Sequence, residues 1–205
     1  MRSGPRSSLS DGISYLSATI PKGSLIITLG LPGTGKSYLL NRLLKRRDIS
    51  ILRSDMIRKD LLRGLDIFDE AVASDEKKKE AVYDEMFRRA EEGIRRASDV
   101  ALDATFFRQE LRLKAAQIAS ECGRCFVVIE CVCSGEKALE RIRGRAFRDY
   151  ESNALTESAY ENVKRAFEPL DLCEIKARFP SVPILYMRIN TEEEDRWKIE
   201  EERHL

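Results

Sequence analysis

The sequence predicts a three-layer α/β fold, one parallel five-stranded sheet with helices on both faces, and three observations predict it. Five short apolar runs alternate along the chain with segments of helical periodicity, the pattern of strands buried on both faces. The first run passes through a glycine-rich octapeptide directly into an amphipathic helix. At 205 residues the chain can bury roughly 70% of its unfolded surface, so a core forms without disulfides or a structural metal.

Each element follows in order. Residues 1–22, polar and Ser-rich with Pro5 and Pro21, read as a loosely packed, flexible arm ahead of a single domain over 23–205. Leu25-Ile26-Ile27-Thr28-Leu29 has the length and β-branching of a buried strand and ends at Gly30. A helix over about 36–46 follows, with Tyr38, Leu39, Leu40, Leu43 and Leu44 as its apolar stripe. The second strand spans 49–52 and runs into Ser54-Asp55, either of which caps a helix over 56–62. A long helix over about 74–97 carries Val82, Met86, Phe87, Ala90 and Ile94 at helical spacing. The third strand covers 100–103, a helix covers about 108–121, and the fourth strand covers 125–133. A charged stretch over 136–150 and a helix over 156–167 precede the fifth strand at 183–189. Thr191, with Glu194 three residues later, has the spacing of a capping box and predicts a closing helix.

Composition narrows the function classes. Lys and Arg number 36 against 35 Asp and Glu, a net charge of +1, so a globally basic nucleic-acid binder is not indicated. No apolar run reaches the ~18 residues that cross a bilayer, and the Ser-rich start lacks the apolar stretch of a secretory signal, so the expected compartment is cytoplasmic, with no membrane partner. Five cysteines, an odd number, point to reduced thiols. Cys122, Cys125, Cys131 and Cys133 suggest zinc at first glance, but Cys125 and Cys131 on one strand stand on the order of 20 Å apart, too far for one tetrahedral ion.

The most informative residues are Gly30-Leu31-Pro32-Gly33-Thr34-Gly35-Lys36-Ser37, which fit G-x-x-x-x-G-K-[ST] without a mismatch. Composition alone gives such a match in roughly one chain in a hundred of this length, and here it sits between a strand and a helix. Glycines at 30, 33 and 35 let the backbone curl so that its amide hydrogens converge on phosphate oxygens at the positive end of the next helix. Lys36 reaches the β and γ phosphates, and the Ser37 hydroxyl serves a magnesium ion bound to them. The expected ligand is Mg-ATP or another magnesium nucleoside triphosphate, with Pro32, Thr34 and Tyr38 completing the cofactor-binding set.

Ligands of open α/β sheets sit beyond the carboxyl ends of the strands, where Asp55 and Asp103 fall. His204, the single histidine, is next to the chain's end, so a carboxylate must accept the proton of any hydroxyl being activated. Asp55 is the candidate for that role. Asp103 ends an apolar strand in the manner of a metal-serving aspartate, and it serves either magnesium or the acceptor.

Taken with the glycine-rich loop, Ser-Asp-Met-Ile-Arg-Lys at 54–59 and Leu-Asp-Ala-Thr-Phe at 102–106 resemble the P-loop kinases related to polynucleotide 5′-hydroxyl kinase and the zeta toxins, over about residues 24–190. The resemblance implies a P-loop NTPase fold with strand order 2-3-1-4-5, which puts Asp103 beside the P-loop strand and Asp55 at the edge. It also implies that an Asp-x-x-Arg after the second strand serves the acceptor hydroxyl, which maps onto Asp55 and Arg58.

Residues 137–148 hold Lys137, Arg141, Arg143, Arg145 and Arg148 against Glu140 alone, while 192–203 is strongly acidic, an asymmetry that suggests the basic stretch faces an anion. Arg141-Ile142-Arg143-Gly144-Arg145 is similar to the lid signature of adenylate kinases. That likeness implies that Arg141 packs on the adenine and Arg145 contacts the transferring phosphate, in a helical lid over about 136–150. Arg143 and Arg148 stay unassigned, and a solvated helix face is the alternative reading of the stretch. Phe167-Glu168-Pro169 resembles a segment that follows the lid in such kinases, and a helix stop at Pro169 explains it equally well. Arg108 and Arg112 read as ordinary exposed helical arginines rather than guides for an anionic acceptor.

These residues predict an ATP-dependent phosphotransferase moving the γ-phosphoryl group to a hydroxyl, on a small metabolite or a nucleic-acid 5′ end. The alternative is a nucleotide-dependent switch or assembly module without an acceptor. A GTPase version lacks the Asn-Lys-x-Asp element that reads guanine. Residues 64–72 are a candidate wall of the acceptor pocket.

Overall fold

The computed structural model describes residues 9–63, 75–96, 98–145, 156–194 and 196–205, with the side chains of 9–11 and 145 outside that description. Six strands form one sheet in the order β2-β3-β1-β4-β5-β6. They are β1 Leu25–Leu29, β2 Ile49–Arg53, β3 Asp99–Asp103, β4 Phe126–Val132, β5 Ile184–Asn190 and β6 Lys198–His204. The first five are parallel and run in the expected 2-3-1-4-5 order. In parallel register β1 pairs Ile27 with Leu102 on one side and with Val128 on the other, so the P-loop strand is central and buried along its whole length.

The sixth strand corrects the expectation of a closing helix. Thr191 does not cap one; residues 192–194 turn, and β6 returns antiparallel to β5. Alternation explains the outcome: Lys-Ile-Glu-Glu-Glu-Arg-His carries one apolar residue, too few for a helical stripe, and its charges suit an exposed edge that discourages pairing with other chains.

Helices cover both faces. Alpha helices α1 Leu9–Thr19 and α2 Lys36–Leu44 pack on one face through Ile13, Leu16, Ile20, Leu39, Leu40 and Leu43 against Ile26, Val127 and Met187. On the other face lie α3 Ser54–Leu61, α4 Glu76–Arg95 and α5 Gln109–Glu121. A further pair is α6 Gly135–Arg145 and α7 Glu157–Ala166, followed by α8 Leu172–Arg178. Its own small core joins Ala138, Ile142 and Tyr160 to Leu31 of the glycine-rich loop.

The described part of the arm is therefore a helix docked on the sheet rather than a flexible segment, a correction to the reading of 1–22 for residues 9–20. Its Ile13, Leu16 and Ile20 sit at helical spacing and are buried. Arg47 fastens it: its guanidinium donates to the carbonyls of Ser17 at 2.9 Å, Ile20 at 2.6 Å and Pro21 at 2.7 Å, and pairs with Asp99 at 2.5 Å. Asp99 in turn accepts from the amides of Gly23 at 2.6 Å and Ser24 at 3.1 Å. This buried knot lies at the amino end of β3, opposite the functional edge. No described helix is long and apolar enough to cross a membrane.

Candidate active site

The glycine-rich loop leaves β1 and closes on α2. Gly30, Gly33 and Gly35 take φ values of +141°, +83° and +84°, and Gly35 caps α2 in the left-handed region. Neighbours add a second demand for glycine. A Cβ on Gly33 would stand 2.4 Å from the Ala138 carbonyl of α6, and one on Gly30 would stand 2.4 Å from the Cys131 carbonyl of β4. Helix α6 is thus seated on the loop itself. Replacing Gly33 with Ala forces both a strained φ and a steric clash, and is expected to weaken Mg-ATP binding at least tenfold, read by calorimetry, with stability lowered by about 1–3 kcal/mol.

Lys36 is buried and donates to the carbonyls of Gly30 at 2.8 Å and Leu31 at 2.9 Å, so its ammonium lies inside the curve of the loop. Thr34 turns its hydroxyl onto the Leu31 carbonyl at 2.8 Å and braces the same curve. Pro32 is buried, whereas Ser37 and Tyr38 are exposed on the first turn of α2. Tyr38 meets Trp197 edge-on at 5.5 Å and lies under the Arg42 guanidinium.

Asp103, buried at the end of β3, pairs with Arg53 across the β2–β3 register at 3.6 Å. Arg53 also donates to Asn41 of α2, so it links the aspartate to the helix that follows the loop. Asp55 lies half-buried in the first turn of α3, directly after β2. Neither Ser54 nor Asp55 caps this helix, a correction to the sequence reading: α3 begins at Ser54, and Arg53 in the cap position makes no side-chain capping bond. The cap role therefore does not account for Asp55. Arg58, one turn further on, is half-exposed, yet its Nε and Nη1 are shielded from water without a hydrogen-bond partner among the described residues.

Arg141 lies against the loop. It donates to the carbonyls of Thr191 at 2.6 Å, Gly33 at 3.3 Å and Glu192 at 3.4 Å. Thr191, fully buried, sends its hydroxyl toward the carbonyls of Thr34 at 2.9 Å and Val132 at 3.1 Å. Glu192 accepts from the amide of Ser134 at 2.6 Å and its hydroxyl at 2.7 Å, holding the start of α6, and these bonds keep its carboxyl below the usual carboxylate range. Sequence reasoning assigned Thr191 to a helix cap and missed this clasp; its only local signal is a polar residue directly after an apolar strand. Arg143 reaches Glu157 of α7 at 3.1 Å, an exposed ion pair between α6 and α7. Arg148 and residues 64–72 lie outside the described residues, as does the side chain of Arg145.

Arg112 corrects the expectation of an ordinary exposed arginine. It is completely buried, donating to the carbonyls of Phe106 at 2.9 Å, Phe107 at 3.3 Å, Glu168 at 2.7 Å and Pro169 at 2.8 Å and to Gln109 at 3.1 Å. Phe167-Glu168-Pro169 is therefore more than a helix stop: it is latched to the loop that follows Asp103. Arg108 pairs with Glu76 at 2.8 Å on the surface. Phe106, at φ +48°, gives its amide to the Tyr83 hydroxyl at 3.3 Å. All five cysteines are free thiols, and burial pushes that of Cys131 up to about 12.

The sheet order and the strand–loop–helix at 25–44 define a P-loop NTPase fold of the kinase-like kind. The chain belongs to the AAA domain family AAA_33, whose model matches residues 25–170. No curated protein matches it. Among solved structures it resembles a suspected kinase from Chloroflexus aurantiacus, at 21% identity over 84% of this chain and 90% of that one, with a TM-score of 0.62. It also resembles a gluconokinase from Sinorhizobium meliloti, at 14% identity over 83% and 84%, TM-score 0.58. A third likeness is to Kti12 from Chaetomium thermophilum in complex with ADP-AlF3, at 21% identity over 76% and 95%, TM-score 0.50. At these identities the likeness is one of fold.

Proposed function

We propose that this protein is a cytoplasmic ATP-dependent kinase that transfers the γ-phosphoryl group of Mg-ATP to a hydroxyl acceptor. The observation that carries the reading is the placement of three groups of side chains at one end of three adjacent strands: Lys36 and Ser37 after β1, Asp103 at the end of β3, and Asp55 and Arg58 after β2. A donor phosphate cradle and a separate carboxylate beside it are what transfer to a hydroxyl needs.

The roles follow from chemistry. Gly30, Pro32, Gly33, Thr34 and Gly35 wrap the phosphates, Lys36 neutralises the β and γ oxygens, and Tyr38 and Arg141 border the nucleotide. Asp55 takes the acceptor's proton as the acceptor oxygen bonds to the γ phosphorus and the bond to ADP breaks. Arg58 orients the acceptor, and Arg145 at the end of α6 stabilises charge on the transferring group. Magnesium fits the residues present: the exposed Ser37 hydroxyl and the Asp103 carboxylate are oxygen donors, few in number, as suits an ion that keeps waters and takes phosphate oxygens. When bound it supplies charge neutralisation across the β and γ phosphates.

Nucleotide consumption measured alone and with a panel of hydroxyl compounds, including sugars, sugar acids, nucleosides and 5′-hydroxyl oligonucleotides, tests the reading. Stimulation by a member of the panel is expected; the same low rate across all of them contradicts the kinase and favours a nucleotide-dependent switch.

A further inference from the structure

Every polar atom of Thr191 is engaged, and each partner lies on or beside the glycine-rich loop. The residue is fully buried directly after β5. Its amide donates to the Val132 carbonyl at 2.8 Å, and its carbonyl accepts from Arg141 at 2.6 Å. Its hydroxyl stands 2.9 Å from the Thr34 carbonyl and 3.1 Å from the Val132 carbonyl. A hydroxyl has one proton to give. The Val132 carbonyl already holds the Thr191 amide, so the proton serves the Thr34 carbonyl, the closer of the two.

Peptide geometry turns that bond into a constraint on the loop. The peptide between Thr34 and Gly35 is trans and planar, so its C=O and N–H point to opposite sides. Fixing the Thr34 carbonyl against Thr191 therefore aims the Gly35 amide away from Thr191. The preceding peptide is held at both ends, because Arg141 donates to the Gly33 carbonyl at 3.3 Å and the Leu31 carbonyl takes the Thr34 amide at 3.3 Å. The peptide before Gly35 is held on its carbonyl side alone, and its amide donates to no described residue. Glycine takes φ of either sign, so without that hold this peptide can flip at little steric cost. A flip exchanges an amide for a carbonyl, placing an acceptor where a phosphate needs a donor.

We propose that Thr191 is a positioning residue for phosphate binding: its hydroxyl fixes the peptide between Thr34 and Gly35 so that the Gly35 amide faces the polyphosphate. The inference rests on the reading of residues 30–37 as a phosphate cradle, and it adds to that contiguous motif a part supplied from 157 positions along the chain. Because the hold acts on an amide that meets phosphate and not on the base, its loss costs the same for any triphosphate. The next residue, Glu192, binds Ser134 at the start of α6, so one turn of chain secures both the loop and the helix seated on it.

Calorimetric titration of the full chain with magnesium tripolyphosphate and with a nonhydrolysable Mg-ATP analogue tests the role. Thr191→Val keeps the volume and branching and removes the hydroxyl; it should weaken both ligands by the same factor, about tenfold. Thr191→Ser keeps the hydroxyl and should bind both within about twofold of the parent. Unchanged affinity in Thr191→Val, whatever its melting temperature, overturns the proposal. So does loss of the analogue alone, or Thr191→Ser failing as Thr191→Val does. The nitrogen-15 NMR signal of the Gly35 amide in the parent supplies a measurement that needs no variant. It should shift as tripolyphosphate binds, and a signal that stays fixed at saturation overturns the proposal. A parent that binds neither ligand overturns the phosphate-cradle reading as well, whereas a binding parent with an indifferent Thr191→Val overturns this inference alone.

Discussion

Asp55→Asn is expected to reduce phosphoryl transfer by about 10²–10⁴-fold, the usual contribution of a positioned general base, while Mg-ATP affinity stays near that of the parent. The isostere keeps the shape of the first turn of α3 and removes only the charge and proton affinity. No histidine substitutes for it: His204 sits at the far end of β6, in register with Leu185 near the start of β5, at the opposite end of the sheet, and pairs with Glu202 at 2.9 Å. Asp103 is held by Arg53 on the neighbouring strand. Steady-state kinetics with a stimulating acceptor, alongside nucleotide calorimetry, separates the outcomes. Full activity, or loss of nucleotide binding in step with activity, contradicts the role given to Asp55.

Arg112→Met is expected to cost about 3–5 kcal/mol of stability, lowering the melting temperature by roughly 10 °C. Methionine has a similar reach and keeps the contact with the Phe167 ring, where the guanidinium now lies 5.3 Å from the centroid. What disappears is a set of five hydrogen bonds that joins the loop after Asp103 to the segment after α7. The carbonyls of Phe106, Phe107, Glu168 and Pro169 lose that donor, and those shielded from water are left unanswered. Denaturant unfolding of the variant measures the cost; a change under 1 kcal/mol contradicts the latch. Because the same segment carries Glu168, whose carboxylate accepts the Gln109 amide at 2.6 Å, Glu168→Gln should show a smaller loss at the same joint.

The parts of the fold written in local pattern were legible in the sequence. Four of the five parallel strands, all but the edge strand β2, have the apolar composition of two-sided burial, and the octapeptide 30–37 announces its turn by the glycines its backbone needs. The elements misread are those whose meaning depends on distant partners. Ser-rich α1 has a modest apolar stripe, and only the sheet face and the Arg47 knot make it a docked helix. Charged β6 lacks any strand-like apolar run and exists because β5 offers it an open edge. Arg112 and Arg108 are one turn apart and indistinguishable by composition, yet one is buried in carbonyls contributed from 57 residues away and the other is paired at the surface. The lone polar Thr191 likewise acquires its role from the carbonyls of Thr34 and Val132. Nucleotide-side residues were thus readable from a contiguous motif, whereas the clasp and the latch are assembled from separate stretches of chain.

Calorimetric titration of the full chain with Mg-ATP and Mg-GTP tests the central claim most directly, that the glycine-rich loop and Lys36 hold a triphosphate. Saturable heat with Mg-ATP at micromolar to low millimolar concentration, strongly diminished in Lys36→Met, is the expected result. Absence of heat with either nucleotide at millimolar concentration contradicts it.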